Sequence, residues 1–363
     1  MAPRGGAFRS IEAWDLAAAP IRALLAAVGL PAGDIDAVIL GNALYGGGNP
    51  ARLALLAAGI PEDRPALTVD SQCCAGLDAI ALAAARIRAG DAEVVVAGGV
   101  ESFSRAPERR RRPLAPGEPA VPYDRPPFSP WPARDPDMIP AAADLAQACG
   151  IARARQGDYA VASHAAARTA PPSPGEIVDL AGLTRDAFAR RLTPALCARL
   201  PALAGDAGHA VTAATVAVEA DAAAVVLVVS DRVAARLRPP GRPVRIAGTA
   251  SAGGDPAMPG LAPIAASRRL LAPRGIAPRD VTVAEVMEAF AVQAIACIEG
   301  IGLDPARVNR GGGALARGHP IGASGAILAV RLWHELQTAS PGSLGLATIA
   351  AAGGLGSAML LEG

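Results

Sequence analysis

Cys73 and His319 are the residues of this chain whose settings point most directly to chemistry. Cys73 lies in Val69-Asp70-Ser71-Gln72-Cys73-Cys74-Ala75-Gly76, where a short apolar run gives way to a small-residue helical pattern. A thiol at such a strand-to-helix junction faces the positive end of the helix dipole, which favours thiolate and nucleophilic attack. The competing reading is a buried small residue, because cysteine is among the most buried residue types. Cys74, one step into the helix, takes that second reading. His319 sits in the run Asn309-Arg310-Gly311-Gly312-Gly313-Ala314-Leu315-Ala316-Arg317-Gly318-His319-Pro320-Ile321-Gly322-Ala323-Ser324-Gly325-Ala326. Glycine at this density lets backbone approach a ligand closely, and a helix is expected to start near Ser324. The run is not a P-loop, since no Gly-Lys-Ser/Thr follows, and it lacks the Rossmann glycine spacing. His164, His209 and His334 have no comparable setting and are read as structural.

The elements that must position these residues follow from hydrophobic patterning. It predicts a helix from Ile11 to about Val28, strands over Ala37–Leu40 and Ala66–Val69, and a helix from Cys74 to about Arg88. A buried strand follows at Ala92–Ala97, ending in Gly98-Gly99, and another returns at Ala222–Val229. Continuous apolar strands alternating with helices imply a parallel sheet covered on both faces. Between Arg105 and about Ala210 the chain is rich in proline and arginine, with helical patches near Ala141–Cys149, Gln156–Arg168 and Arg185–Leu200. This stretch reads as an inserted loop domain. The last third repeats the first. Gly29-Leu30-Pro31-Ala32-Gly33-Asp34-Ile35 matches Gly275-Ile276-Ala277-Pro278-Arg279-Asp280-Val281 with identical spacing, and Val95-Val96-Ala97-Gly98-Gly99 matches Ala350-Ala351-Ala352-Gly353-Gly354. Two similar α/β halves are therefore expected, with a site where they meet.

Composition narrows the function classes. The 363 residues are 52% hydrophobic and 18% charged, which excludes a disordered chain and allows a large core. A formal net charge of +1 and 3% aromatic residues argue against nucleic acid as a partner. The longest apolar candidate, Ala222–Val229, is too short to span a membrane, and the N-terminus carries no signal-peptide core, so a cytoplasmic protein is expected. Five cysteines make no disulfide framework in a chain of this size. Every basic side chain is arginine, which excludes lysine-based catalysis and reads otherwise as coding bias. The run Arg109-Arg110-Arg111-Arg112 is read first as a solvated loop and second as a contact to phosphate.

Four blocks together resemble the thiolases, the coenzyme-A-dependent acyltransferases that make or cleave carbon–carbon bonds beside a thioester. They are Cys73-Cys74-Ala75-Gly76-Leu77-Asp78-Ala79-Ile80, Gly98-Gly99-Val100-Glu101-Ser102-Phe103-Ser104, Glu288-Ala289-Phe290-Ala291, and Gly318-His319-Pro320-Ile321-Gly322-Ala323-Ser324-Gly325. Asp255-Pro256 adds weaker support. The resemblance implies an α/β, thiolase-like fold of two duplicated halves, each with a mixed five-stranded sheet, and an inserted loop domain. It places the N-terminal half at residues 1–108 and 211–235, the loop domain at 109–210, and the C-terminal half at 236–363. It further implies that an acyl-CoA acylates Cys73 and that His319 activates the thiol and helps polarise a thioester oxygen. Backbone N–H groups of Cys73 and Ala352 would form an oxyanion hole, with Glu288 and Gly354 in support and Ser251 as a weak CoA contact. Coenzyme A thioester enters as substrate; no permanently bound cofactor and no metal are expected. A homodimer or homotetramer is the implied assembly, with no membrane partner.

Departures from the family pattern matter as much. Ala350 in Gly345-Leu346-Ala347-Thr348-Ile349-Ala350 stands where the family carries its acid/base cysteine, and alanine moves no proton. A general base contributes about 10²–10⁴-fold, so carbon–carbon chemistry is expected to be slowed accordingly. Met287 replaces the usual Asn or His before Glu288, and the chain begins after the family's usual first strand. The residues before Asp221 lack the family's small polar side chains. Acetyl-CoA C-acyltransferase chemistry is the leading expectation. The alternatives are a non-condensing biosynthetic acyltransferase, a CoA-binding or scaffold subunit working with a second subunit, and a thioesterase.

Overall fold

The computed structural model describes residues 1–363. The first part comprises β1 (Ala2–Pro3), α1 (Ala13–Val28), β2 (Ala37–Gly41), α2 (Pro50–Ala57), β3 (Ala66–Val69), α3 (Ala75–Ala89) and β4 (Val94–Glu101). The chain then leaves the sheet for β5 (Arg110–Arg111), β6 (Val121–Pro122), α4 (Met138–Ala148), α5 (Arg153–Thr169), α6 (Pro194–Arg199), β7 (Ala202–Ala204) and β8 (Val211–Thr212). It re-enters through β9 (Ala220–Val229) and α7 (Asp231–Ala234). The last part holds β10 (Arg245–Gly253), α8 (Ala262–Leu271), β11 (Val281–Val286), α9 (Ala291–Ile301), α10 (Ala314–Arg317), α11 (Ile321–Gln337), β12 (Leu344–Ala351) and β13 (Leu355–Glu362).

Two mixed sheets form, rather than the parallel sheet that apolar patterning alone suggests. The first runs β1-β9-β4-β2-β3, with β2, β3 and β4 parallel and β9 antiparallel to both of its neighbours. The second runs β10-β13-β12-β11, with only β11 and β12 parallel. One core lies between the sheets and is filled by α3 and α11, with Leu77, Ile80, Leu328 and Leu332 among its buried residues. A second packs α1 and α2 on the outer face of the first sheet, and a third packs α8 and α9 on the outer face of the second. Five layers result: helix, sheet, helix, sheet, helix. Strands β2, β4, β11 and β12 are buried on both sides, and this is why they carry so few polar residues.

The repeat is real, with one correction. Gly29 and Gly275 both end a helical segment in the left-handed conformation, a short 3₁₀ turn follows each, and β2 or β11 begins. The second match is displaced. Gly98 pairs with Leu40, whereas Val286, the counterpart of Leu40, pairs with Thr348. Thr348 is thus the partner of Gly98 in the repeat, and Gly353-Gly354 form a turn after β12. Gly98 and Gly99 lie inside β4 because a Cβ there would stand 2.1 Å from the Ala224 carbonyl oxygen or 2.0 Å from that of Gly322.

Three other expectations change. The second sheet has four strands, its fifth reduced to one bridge between Ala284 and Val308. A first strand is present, but only as Ala2 and Pro3 beside Asp221 and Ala220. Helix over Arg185–Leu200 is confined to α6, where Thr193 caps the Leu196 N–H and Pro194 opens the first turn. Upstream, side chains are drawn into tertiary contacts instead: Asp186 pairs with Arg317, and the Arg190 N–H donates to His164 Nδ1. Helices α4 and α5 lie over α9 of the last part, through Leu145, Ile151 and Ile295 for the first and Ala160 and Ala291 for the second.

Candidate active site

The turn that presents Cys73 is built from short polar side chains. Asp70 Oδ1 accepts the Gln72 N–H at 2.9 Å, and Gln72 takes a left-handed φ of +57°. A non-glycine residue in that conformation is strained, and such strain is kept where the surroundings over-determine it. Here Asp78, in the first turn of α3, accepts from Ser71 Oγ at 2.5 Å and from Ser357 Oγ of β13 at 2.6 Å. The turn before the cysteine is therefore tied to both sheets. Cys74 is buried, and its thiol donates to the Ile349 carbonyl at 3.6 Å.

His319 arrives from the other half. Its N–H donates to the Val218 carbonyl at 2.8 Å, and its side chain precedes α11. Helices α3 and α11 cross closely where Gly76 faces Ala326 and Gly325 faces Leu77, so their N-terminal ends converge. His319 Nε2 comes to rest 3.2 Å from Cys73 Sγ, while Nδ1 lies 2.6 Å from Ser324 Oγ. Burial pushes the Cys73 thiol up to about 12, with the N–H groups of Ala352 and Cys73 itself opposing it. Burial also pushes the His319 imidazole down to about 4. At Cys73 burial therefore acts against the thiolate that the helix dipole favours. Both shifts favour the uncharged forms of the thiol and the imidazole.

Supporting groups surround this pair. Glu101, 1% exposed at the end of β4, accepts from Asn42 Nδ2 (3.0 Å) and from the N–H groups of Ala43 (3.0 Å), Leu44 (3.3 Å) and Gly322 (2.9 Å). It ties the first turn of α11 to the segment after β2. Burial raises the Glu101 carboxyl to about 7 against the pull of these donors. Glu288 accepts from Tyr159 (3.0 Å), Ser163 (2.7 Å), Asn309 (2.8 Å) and the Leu315 N–H (3.2 Å). These bonds hold the glycine-rich segment before His319 and brace it against α5. Asp221 receives Ser104 N–H (2.9 Å) and Ser104 Oγ (2.5 Å), so the downstream block folds onto it without the missing polar neighbours.

The remaining candidates separate. Ala352 follows β12 with its N–H toward the Cys73 thiol, and Gly354 (φ +81°) packs on Gly254 and Asp255. Ala350 is buried on β12 two residues before Ala352, and Met287 is buried in the central core. Ser251 is exposed on β10, its hydroxyl 3.3 Å from that of Ser357. In the arginine run, Arg111 lies over Tyr123 and Arg109 reaches the Ala43 carbonyl, as in an exposed loop anchored locally. Sequence reasoning missed Asp78, Glu101, Asn42 and Ser324 as supports. Only the positions of Asp78, Glu101 and Ser324 inside recognisable blocks hinted at them, and nothing marked Asn42.

A five-layer scaffold of two related halves, with a cysteine from one and a histidine from the other, defines a class of acyl-transfer enzyme. Residues 1–232 match the family model described as thiolase, N-terminal domain, and residues 242–363 match thiolase, C-terminal domain. The acetyl-CoA acetyltransferase of Pseudomonas aeruginosa is 40% identical over 98% of this chain and 95% of its own length. That of Escherichia coli is 36% identical over 98% and 95%. A crystal structure of the Bacillus anthracis acetyl-CoA acetyltransferase superposes with a TM-score of 0.88 at 30% identity, covering 99% of this chain and 95% of the other. The chain belongs to the thiolase family, and its activity is that of a thiolase-type acyltransferase. No helix is long and apolar enough to cross a membrane.

Proposed function

We propose that the protein transfers acyl groups from acyl-CoA through an acyl-Cys73 intermediate, with acetyl-CoA as the reference donor. The observation that supports this best is the 3.2 Å approach of Cys73 Sγ to His319 Nε2 at the junction of the two halves. Cys73 attacks the thioester carbonyl as His319 takes the thiol proton. The N–H groups of Cys73 and Ala352 stabilise the tetrahedral oxyanion, and the CoA sulfur leaves with the proton His319 returns. Residues 109–210, as a loop domain inserted into the N-terminal half of residues 1–108 and 211–235, would hold the CoA, with Ser251 of the C-terminal half (236–363) at its margin. Only the second step needs a proton moved at carbon, and Ala350 offers none. The acyl-enzyme therefore passes readily to a nucleophile that needs no α-carbon deprotonation, and slowly to a carbon acid. A homodimer or homotetramer is the assembly we expect, read directly by light scattering in solution.

Intact-protein and peptide mass spectrometry after mixing with acetyl-CoA tests the intermediate. An acetyl adduct on Cys73, absent in Cys73→Ala, is the expected result. Folded protein that gives no adduct with any acyl-CoA would refute acyl transfer and favour the scaffold reading.

A further inference from the structure

The hydroxyl of Ser324 meets the nitrogen of His319 that faces away from the cysteine. Ser324 lies in the first turn of α11 and is 2% exposed. Its Oγ stands 2.6 Å from His319 Nδ1 and 3.0 Å from the Pro320 carbonyl oxygen. A carbonyl oxygen can only accept, so the single hydroxyl hydrogen is directed there and Oγ turns a lone pair toward Nδ1. Nδ1 then carries the imidazole proton, and Nε2 offers its lone pair to the thiol 3.2 Å away. An acceptor-only group at one end thus sets the direction of three successive bonds: Sγ–H to Nε2, Nδ1–H to Oγ, and Oγ–H to the carbonyl. The other tautomer would point an N–H at the thiol and leave it without a base.

We propose that Ser324 is a positioning residue that holds His319 in the Nδ1-protonated tautomer, as the proton transfer from Cys73 requires. Ser324 touches neither the thiol nor a substrate; it acts through the imidazole. It rests on the acyl-Cys73 reading above and adds to it the group that aims the base. The Ala323 and Ser324 N–H groups also donate to the Pro320 carbonyl at 2.9 Å each, so the Ser324 hydroxyl is the third donor to that oxygen.

The test uses the full chain labelled with ¹⁵N-histidine, where only four histidines contribute signals and His319→Asn identifies the relevant one. Long-range proton–nitrogen correlation at neutral pH should show His319 protonated at Nδ1. Ser324→Ala should shift it toward the Nε2 tautomer and slow Cys73 acylation by roughly 10–10²-fold, with KM for acetyl-CoA within about twofold. Ser324→Thr, which keeps the hydroxyl, should restore both. Wild-type His319 protonated at Nε2 would overturn the proposal, as would Ser324→Ala with unchanged tautomer or unchanged acylation. An Nδ1-protonated wild type that never acylates would support the tautomer assignment and refute the acyl-enzyme reading.

Discussion

Burial favours the neutral forms of Cys73 and His319, and this sets how their reactivity is expected to depend on pH. With the imidazole depressed to about 4 and the thiol raised to about 12, neither titrates in the neutral range. The rate of Cys73 acylation should therefore stay flat from pH 5 to 8, measured by rapid quench and mass spectrometry. An inflection at the usual histidine value of about 6.5 would show a solvated imidazole instead. Ala350 carries the second prediction at this scale. Ala350→Cys should raise exchange of the acetyl-CoA methyl protons with D₂O, and condensation with it, by about 10²–10⁴-fold while leaving acylation of Cys73 unchanged. Equal rates before and after the substitution would mean that another group already moves that proton. Cys73, His319 and Ala350 were legible because their neighbours along the chain are distinctive. Asp78, Glu101 and Ser324 were not. The bonds of Asp78 and Glu101 reach residues far away in sequence, such as Ser357 and Gly322, and that of Ser324 depends on how the His319 ring is turned.

Elements carry these residues through close backbone contacts that leave no room for a methyl group. β4 passes α11 so tightly that a Cβ on Gly99 would stand 2.0 Å from the Gly322 carbonyl oxygen. Gly99→Ala should destabilise the fold by about 3 kcal/mol or more, read by denaturant unfolding, because rigid backbone on both sides cannot yield. Surviving protein should acylate slowly, since Gly322 lies three residues from His319. Patterning located most of these elements, as at α1, β3 and α3, where apolar period and turn residues agree. It could not separate parallel from antiparallel neighbours, because a strand buried on both faces looks the same in either sheet. Nor could it see that Val308 makes a bridge where β3 makes a strand, since that depends on what packs beside each.

Across the whole molecule, buried charges join the second sheet to the layer that covers it. Arg331 of α11 bonds Glu285 of β11 at 3.1 Å and Glu176 of the covering segment at 3.3 Å, all three side chains being almost fully buried. Arg331→Met should cost about 3–5 kcal/mol in unfolding free energy, since Glu285 would be left buried without its partner. A loss below about 1 kcal/mol would mean that Glu285 takes up a proton or reaches water. The arrangement of the halves has a consequence of another kind. Cys73 follows β3 and precedes α3; His319 follows the Val308 bridge and precedes α11, the corresponding place in the second half. Two identical halves related by symmetry would set cysteine opposite cysteine, or histidine opposite histidine, and neither pairing joins an attacking sulfur to a proton acceptor. Two halves within one chain need not be identical, so one of the two corresponding positions can carry a thiol and the other an imidazole.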